Sequence, residues 1–208
     1  DTSIYLVNDG STDNTVKQIQ NIVNCFPYRC FLINYQENSG KANTIFKAIQ
    51  EIKSQNSYDF IGYFDADFST PPQEIIRLLN ICQSSDSQFL FGSRILILNS
   101  LIERKTYRHF IGRAIITLIN IKYKLGIYDT QCGAKIFHTN IINKVFTEKF
   151  YTSWLFDVEI FIRLKKQNCL KFGLEIPLKQ WKDVDGSKLG IKSSFKILKE
   201  LVTLYQKY

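Results

Sequence analysis

Short apolar runs alternate with amphipathic stretches through the first ninety residues. Ser3 to Val7 reads as a strand, followed by the turn-rich segment Asn8-Asp-Gly-Ser-Thr-Asp-Asn14. Val16, Ile19, Val23 and Phe26 then recur at helical spacing, with Ser11 or Thr12 available as a cap. Phe31 to Tyr35 predicts a second strand. After the loop Glu37 to Lys41, Ala42 to Lys53 predicts a helix with Ile45, Ala48, Ile49 and Ile52 on one side. Phe60 to Phe64 is an uninterrupted apolar run, the pattern of a strand covered on both faces. Pro71 and Pro72 end that extended stretch and suit a helix start. Gln73 to Cys82 places Ile75, Ile76, Leu78, Leu79 and Cys82 on one side, and Gln88 to Gly92 predicts a fourth strand ending at Ser93-Arg94. Strand, loop and helix alternate three times, which predicts an α/β fold with a mostly parallel central sheet flanked by helices.

The rhythm changes after Arg94. Glu103 to Leu125 reads as a basic helix, Asp129 to Gly133 as a polar loop, and Ala134 to Phe137 as a short strand. Trp154 to Lys166 predicts a helix, Leu170 to Ile176 a strand, and Lys179-Gln-Trp181 an extended piece. The last helix carries Ile191, Phe195, Leu198, Val202 and Tyr205 at intervals of three and four, with Lys192, Lys196, Lys199 and Lys207 elsewhere. Two readings fit such a stripe: packing on the protein, or docking on a membrane surface. The expected organisation is one domain, with a nucleotide-binding half at 1–94, an acceptor-binding half at 95–190 and the amphipathic helix at 191–208.

Composition narrows the function class. In 208 residues there are 27 Lys plus Arg against 19 Asp plus Glu, a net charge of +8 that favours an anionic partner. A nucleic-acid-binding module is a possible class, but no Lys/Arg stripe interleaved with aromatics supports it. Five scattered cysteines form no Cys-x-x-Cys pair, so neither a disulfide framework nor a zinc site is indicated, and a reducing compartment fits. No apolar run approaches the ~18 residues of a spanning helix. The chain begins at Asp1 inside a strand pattern and contains no Met, so further residues are expected before it.

The candidate chemistry centres on Asp65 and Asp67, which follow the Phe60–Phe64 strand at once. Ligand sites of open α/β sheets lie at carboxyl ends of strands. Two carboxylates at i and i+2 can aim at one point, as hard divalent cations require, with phosphates completing the shell. Solvated loop acids are the plain alternative. No Gly-x-Gly-x-x-Gly and no phosphate-binding-loop signature are present, which argues against dehydrogenases and ordinary nucleotide hydrolases.

Val7-Asn-Asp-Gly-Ser-Thr-Asp-Asn14, Asn38-Ser-Gly-Lys41, Phe64-Asp-Ala-Asp67, and Phe91-Gly-Ser-Arg94 with Asp129-Thr-Gln-Cys-Gly-Ala-Lys135 occur in that order. Together they resemble the family 2 inverting glycosyltransferases of GT-A fold. Trp154-x-x-Phe-Asp-Val-Glu159 and Trp181-x-x-x-x-Gly-Ser-Lys188 resemble the dolichyl- or polyprenyl-phosphate sugar transferases in particular. The family's opening strand, ending near Pro-x-Tyr-Asn-Glu, has no counterpart here, so the nucleotide site is expected to be incomplete.

The resemblance implies a nucleotide-sugar donor, UDP-glucose being the expected one, and Mg²⁺ or Mn²⁺. Asp9 would read the nucleobase, or satisfy turn N–H groups. Lys41 would bind nucleotide, Asp65 would lie near the ribose, and Asp67 would hold the metal, with Asp65 beside it. Arg94 and Arg108 would contact an acceptor phosphate, and Gly133 would line the acceptor side. Asp157 matches the candidate base, needed by a hydroxyl acceptor but not by an ionised phosphate; capping a helix is its other reading. Lys188 would close on the diphosphate. The acceptor is expected to be a lipid phosphate, with a glycan hydroxyl as the alternative. The chain would then sit on the cytoplasmic face of a membrane, with no nucleic-acid partner.

Overall fold

The computed structural model describes residues 2–55, 57–184 and 191–208, with the side chains of 108, 109 and 191–195 outside that description. The chain divides into two compact units, Asp1–Ser57 and Tyr58–Tyr208.

In the first unit, strands β1 (Ile4–Asp9) and β2 (Cys30–Tyr35) pair in parallel, from Ile4 opposite Cys30 to Asp9 opposite Tyr35. Helix α1 (Thr15–Cys25) makes the crossover and α2 (Lys41–Gln55) follows β2. Neither Ser11 nor Thr12 caps α1. Asp13 Oδ1 accepts from the Thr15 N–H at 3.0 Å and from its hydroxyl at 2.5 Å, so an acid outside the helix does that work. Ala48, Ile49 and Ile52 of α2 are buried as their spacing predicts, whereas Ile45 of the same stripe is only half-buried and Ala42 is buried in its stead.

The second unit contains a four-stranded sheet in the order β3 (Phe60–Phe64), β6 (Ala134–His138), β4 (Phe89–Ser93), β7 (Gly173–Pro177). β4 and β7 pair in parallel. β6 runs antiparallel to both β3 and β4, wedged between them. The repeated strand–helix rhythm therefore describes the direction of β3 and β4 correctly but not their adjacency. β4 is buried along its whole length, whereas β3 stands at one end of this order and only Ile61 in it is buried. The continuous apolar run of β3 thus overstated its burial.

Helix α3 (Pro72–Ser84) lays Leu78 and Cys82 into a core with Leu90, Ile136 and Leu178. Each such fully buried aliphatic side chain contributes about 1.5–3 kcal/mol. Ile76 faces out instead, 58% exposed, and Glu74 turns in. Glu74 is held by Arg77 at 2.7 Å and by the Lys179 N–H at 2.9 Å, so its burial is paired. The other side of the sheet is aromatic: Phe137 lies between Phe89 and Phe146, with Phe161 against Phe89 and Phe91.

Three further elements differ from the sequence pattern. Leu101–Glu103 is a strand, β5, paired in parallel with β8 (Gln180–Lys182), and helix α4 begins only at Thr106 and runs to Tyr123. A short helix α5 (Thr139–Val145) lies where no periodicity was legible, because seven residues give too little of it. After α6 (Phe156–Lys166), the final helix α7 (Ile191–Lys207) buries Ile197, Leu201 and Leu204. The predicted stripe is offset from these by one position. Its Leu198 and Val202 remain 55% and 54% exposed, and Ile191 and Phe195 lie outside the described side chains.

Candidate active site

In the first unit, Asp9 ends β1 and turns its carboxylate onto the Asn38–Gly40 loop. Oδ1 accepts from the Ser39 N–H at 2.9 Å and the Ser39 hydroxyl at 3.3 Å, and Oδ2 from the Gly40 N–H at 2.9 Å. Burial would raise its pKa, but hydrogen bonds from Thr44, Ser39 and Gly40 outweigh it and hold the carboxyl below the usual range. Asp9 therefore satisfies backbone donors of a neighbouring loop rather than of its own turn. Gly10 is required beside it. Its φ is +66°, and an added Cβ would sit 2.5 Å from the Asn38 nitrogen. Lys41 opens α2 and is exposed.

In the second unit, β3 delivers Asp65 and Asp67 at its carboxyl end. The Asp65 N–H continues the β3–β6 ladder to the Gly133 carbonyl at 2.9 Å. Its carboxylate lies against Gly133 so closely that a Cβ there would fall 2.0–2.5 Å from the carboxylate atoms. Gly133, expected on the acceptor side, is thus the floor under Asp65. Asp67 is exposed, and its Oδ1 accepts from the Ser69 N–H at 2.9 Å and the Ser69 hydroxyl at 2.6 Å. That turn orients the carboxylate outward. Two carboxylates at a strand end form an all-oxygen donor set that fits a hard divalent cation. Among the described residues no group of three or more His, Cys, Asp or Glu is placed to hold a metal. Phosphate and water would have to complete the shell.

Behind this pair lies a buried charge network. Lys135, in the middle of β6, has no exposed surface, yet its Nζ lies 2.8 Å from Asp157 Oδ1 and donates to the Cys132 carbonyl at 2.5 Å. The Tyr63 hydroxyl donates to the same Asp157 oxygen. Burial, then Asp157, pushes the Tyr63 hydroxyl far above its ordinary pKa, so it remains a donor. Asp157 is within the first turn of α6 but is not its cap, a position taken by Leu155. A general base must reach the proton it removes; this residue is buried and its carboxylate is engaged by Lys135 and Tyr63. Those contacts tie the first turn of α6 to β6 and β3.

Segment Asp129–Lys135 ties this network to a second one. Arg94 grips Asp129 with both arms of its fork, Nε to Oδ2 at 2.6 Å and Nη2 to Oδ1 at 2.8 Å. Burial opposes charge on Asp129, but Arg94 overrides it and holds the carboxyl far below its ordinary range. Arg94 also lies over the Trp181 ring, 5.2 Å from its centroid. The fork expected to meet an acceptor phosphate is therefore committed to Asp129. Glu175 secures the same loop, accepting from the Tyr128 and Asp129 N–H groups at 2.9 and 2.8 Å. Arg94, Arg104 and Arg113 line a small cavity with Tyr128, Asp129 and Gln131. Burial and then the nearby Arg94 lower the pKa of Arg104, the mark of crowded positive charge around one acid. Arg113 stacks on Tyr128, 3.9 Å from its ring centroid.

Cys132 is fully buried and its thiol is pushed up to about 12 by burial, which fits a structural cysteine and no nucleophile. The side chain of Arg108, on α4, and all of Lys188 lie outside the described residues. Sequence reasoning passed over Lys135, Tyr63 and the cavity arginines Arg104 and Arg113. A lysine inside an apolar strand was the one available signal, because such a charge demands a buried partner.

The chain is similar to proteins of known sequence and structure. The dolichyl-phosphate beta-glucosyltransferase of Saccharomyces cerevisiae is 30% identical over 226 residues, covering 99% of this chain and 64% of that protein. Its namesake in Dictyostelium discoideum is 27% identical, covering 99% of this chain and 63% of that protein. The chain thus spans under two thirds of the length of these relatives. Among solved structures, glucosyl-3-phosphoglycerate synthase of Mycobacterium tuberculosis, in complex with Mn²⁺, UDP and glucosyl-3-phosphoglycerate, superposes with a TM-score of 0.69 at 12% identity, covering 96% of this chain and 66% of that one. The fold is therefore GT-A. The family model described as "Glycosyl transferase family 2" matches residues 1–146, so the chain belongs to that family.

Proposed function

We propose that this chain transfers glucose from UDP-glucose to a polyprenyl or dolichyl phosphate, with inversion at the sugar and with a divalent metal. The observation that carries the reading is the pair Asp65 and Asp67 at the end of β3, one seated on Gly133 and the other aimed outward by Ser69. The sugar and the acceptor class come from the relatives named dolichyl-phosphate beta-glucosyltransferase. The donor is supported by a structural neighbour solved with Mn²⁺ and UDP-glucose.

Asp67, assisted by Asp65, would hold Mg²⁺ or Mn²⁺. When bound, that ion supplies Lewis-acid stabilisation of the charge developing on the departing diphosphate. Asp9 and Lys41 are the candidates for nucleotide binding, Asp9 acting by shaping the Ser39–Gly40 loop. Lys135 and Tyr63 hold Asp157 in place, and Lys135 also binds the Cys132 carbonyl, which sets the segment that carries Gly133 beneath Asp65. Arg94 keeps Asp129 in place, so the cavity arginines Arg104 and Arg113 become the candidates for the acceptor phosphate, together with Arg108. Guanidinium groups suit phosphate oxygens. Transfer to a glycan hydroxyl is less well served, because Asp157, the candidate base, is buried against Lys135.

The test is transfer of labelled glucose from UDP-glucose, with and without Mn²⁺, to polyprenyl phosphate and, separately, to a glycan hydroxyl acceptor. The expected product is a lipid-soluble sugar phosphate cleaved by mild acid. Transfer to the hydroxyl acceptor alone would overturn the acceptor, and equal transfer after chelation would overturn the metal.

A further inference from the structure

The segment from Tyr151 to Leu155, just before α6, belongs to no helix or strand, so its backbone N–H groups need acceptors from elsewhere. Two carboxylates supply them. Glu159 accepts from the Tyr151 N–H at 3.0 Å, the Thr152 N–H at 3.2 Å and the Thr152 hydroxyl at 3.1 Å. Glu159 belongs to α6, so these bonds only fold the segment back onto the helix that follows it. Glu200 takes the remaining donors. Its Oε1 accepts from the Ser153 N–H at 3.2 Å and the Ser153 hydroxyl at 2.7 Å, and its Oε2 from the Trp154 and Leu155 N–H groups at 2.8 and 2.9 Å. Glu200 lies on α7, 45 residues beyond Leu155.

An acid on the packed side of a helix is costly, and this one stands among Ile197, Leu201 and Leu204 in the buried stripe of α7. The donors it meets offset that cost, because hydrogen bonds to an ionised acceptor are strong. They also stand at the N-terminal end of α6, where the helix dipole favours negative charge. The N-cap residue of α6, Leu155, offers no side-chain cap of its own. The segment held in this way reaches the site at two points. The Trp154 carbonyl accepts from Gln131 Nε2 at 3.4 Å, and Gln131 lines the arginine cavity. Asp157, in the first turn of α6, meets Lys135 of β6. Helix α7 is fastened to another wall of the same cavity. The Tyr123 hydroxyl and the Lys122 ammonium of α4 donate to the Leu204 and Tyr205 carbonyls at 2.8 and 3.0 Å, and α4 lines the cavity through Gly112, Arg113 and Ile116.

We infer that Glu200 is a positioning residue for the acceptor side of the site. It fixes the turn before α6, and through the Trp154 carbonyl it holds Gln131 in the wall that Arg94, Arg104 and Arg113 share. Among the described residues, those lining the cavity do not include Glu200, so it acts through Gln131 and not by touching the acceptor. The inference rests on the lipid-phosphate reading for what the cavity binds, but the anchoring itself does not depend on that reading. A carboxylate that merely packed α7 against the second unit would affect how much protein is folded. One that positions Gln131 affects how the folded protein holds its acceptor.

The experiment uses Glu200→Gln in the full chain, which keeps the size of the side chain and loses its charge and one acceptor oxygen. Hydrogen exchange, measured without any substrate, is expected to quicken about tenfold at the amides of Ser153, Trp154 and Leu155 and to stay unchanged in β3. With UDP-glucose and a short, water-soluble isoprenyl phosphate, the acceptor KM is expected to rise about tenfold, while the donor KM stays within about twofold of the parent's. Gln131→Ala is expected to raise the acceptor KM as well, and the two changes together no further than the larger alone, because they act on one contact. Ser153→Ala removes only the hydroxyl bonded to Glu200 and serves should Glu200→Gln misfold; a rise in acceptor KM of about threefold is expected. An unchanged acceptor KM in the folded variants would overturn the inference. So would an equal rise in both KM values, a loss of kcat alone, or full additivity with Gln131→Ala. Exchange separates this inference from the reaction: unchanged exchange at Ser153–Leu155 overturns the anchoring whatever the chain transfers. Quickened exchange, in a chain whose parent transfers no sugar to an isoprenyl phosphate, supports the anchoring and overturns the lipid-phosphate reading.

Discussion

Lys135 Nζ lies 2.8 Å from Asp157 Oδ1, and the two side chains are 0% and 5% exposed. The pair joins the middle of β6 to the first turn of α6, and Tyr63 adds a third element, β3. Removing one member leaves the other buried without a counter-charge. Lys135→Met is expected to lower unfolding stability by about 3–5 kcal/mol in urea titration. Lys135→Met with Asp157→Leu is expected to recover most of that loss. A double variant no more stable than the single one would show that the charges are not coupled.

Asp157→Asn keeps the side chain's shape and separates positioning from proton transfer. A base removed from a hydroxyl-acceptor reaction costs about 10²–10⁴-fold in rate. With polyprenyl phosphate as acceptor the expected loss is well below that and follows the variant's stability. A loss in the full range, in a normally folded protein with that acceptor, would restore Asp157 as the base.

Asp67→Asn is expected to abolish the Mn²⁺-dependent part of UDP binding in calorimetry while leaving the thermal transition in place, because Asp67 is exposed and its carboxylate, among the described residues, bonds within its own turn to Ser69. Mn²⁺-dependent affinity retained at the wild-type level would remove Asp67 from the metal site.

Gly133→Ala is expected to have the same effect by a different route. Its Cβ would fall 2.0–2.5 Å from the Asp65 carboxylate and force that group to move. Unaltered metal-dependent UDP binding in the folded variant would show that Asp65 takes no part.

Arg94 holds the Asp129 pKa in the folded chain far below the ~3.9 of an unfolded aspartate. The sign follows: this pair contributes stability fully above about pH 4, and the contribution fades as pH falls towards the folded value. Subtracting the stability of Asp129→Asn from that of the parent between pH 6 and 2 isolates it. The difference is expected to shrink steadily below about pH 4. A difference constant across that range would show that Asp129 is not the titrating group.

Local pattern in the sequence was enough for the alternation of strands and helices, the acid pair after Phe64 and the turn-rich segment after Val7, because each depends on neighbours in the chain. Order in the sheet was not legible. β6 enters between β3 and β4 through pairings such as Phe64 with Ala134, seventy residues apart, and nothing local encodes them. The same distance hid the partners of charged groups. Arg94 looked free for a phosphate until the fold set Asp129 against it, and Asp157 looked free for a proton until Lys135 was buried beside it. On α7 two apolar stripes run one residue apart with the same period, so periodicity alone had no means of choosing. Packing against the rest of the second unit chose Ile197, Leu201 and Leu204, and left Leu198 and Val202 to the outside.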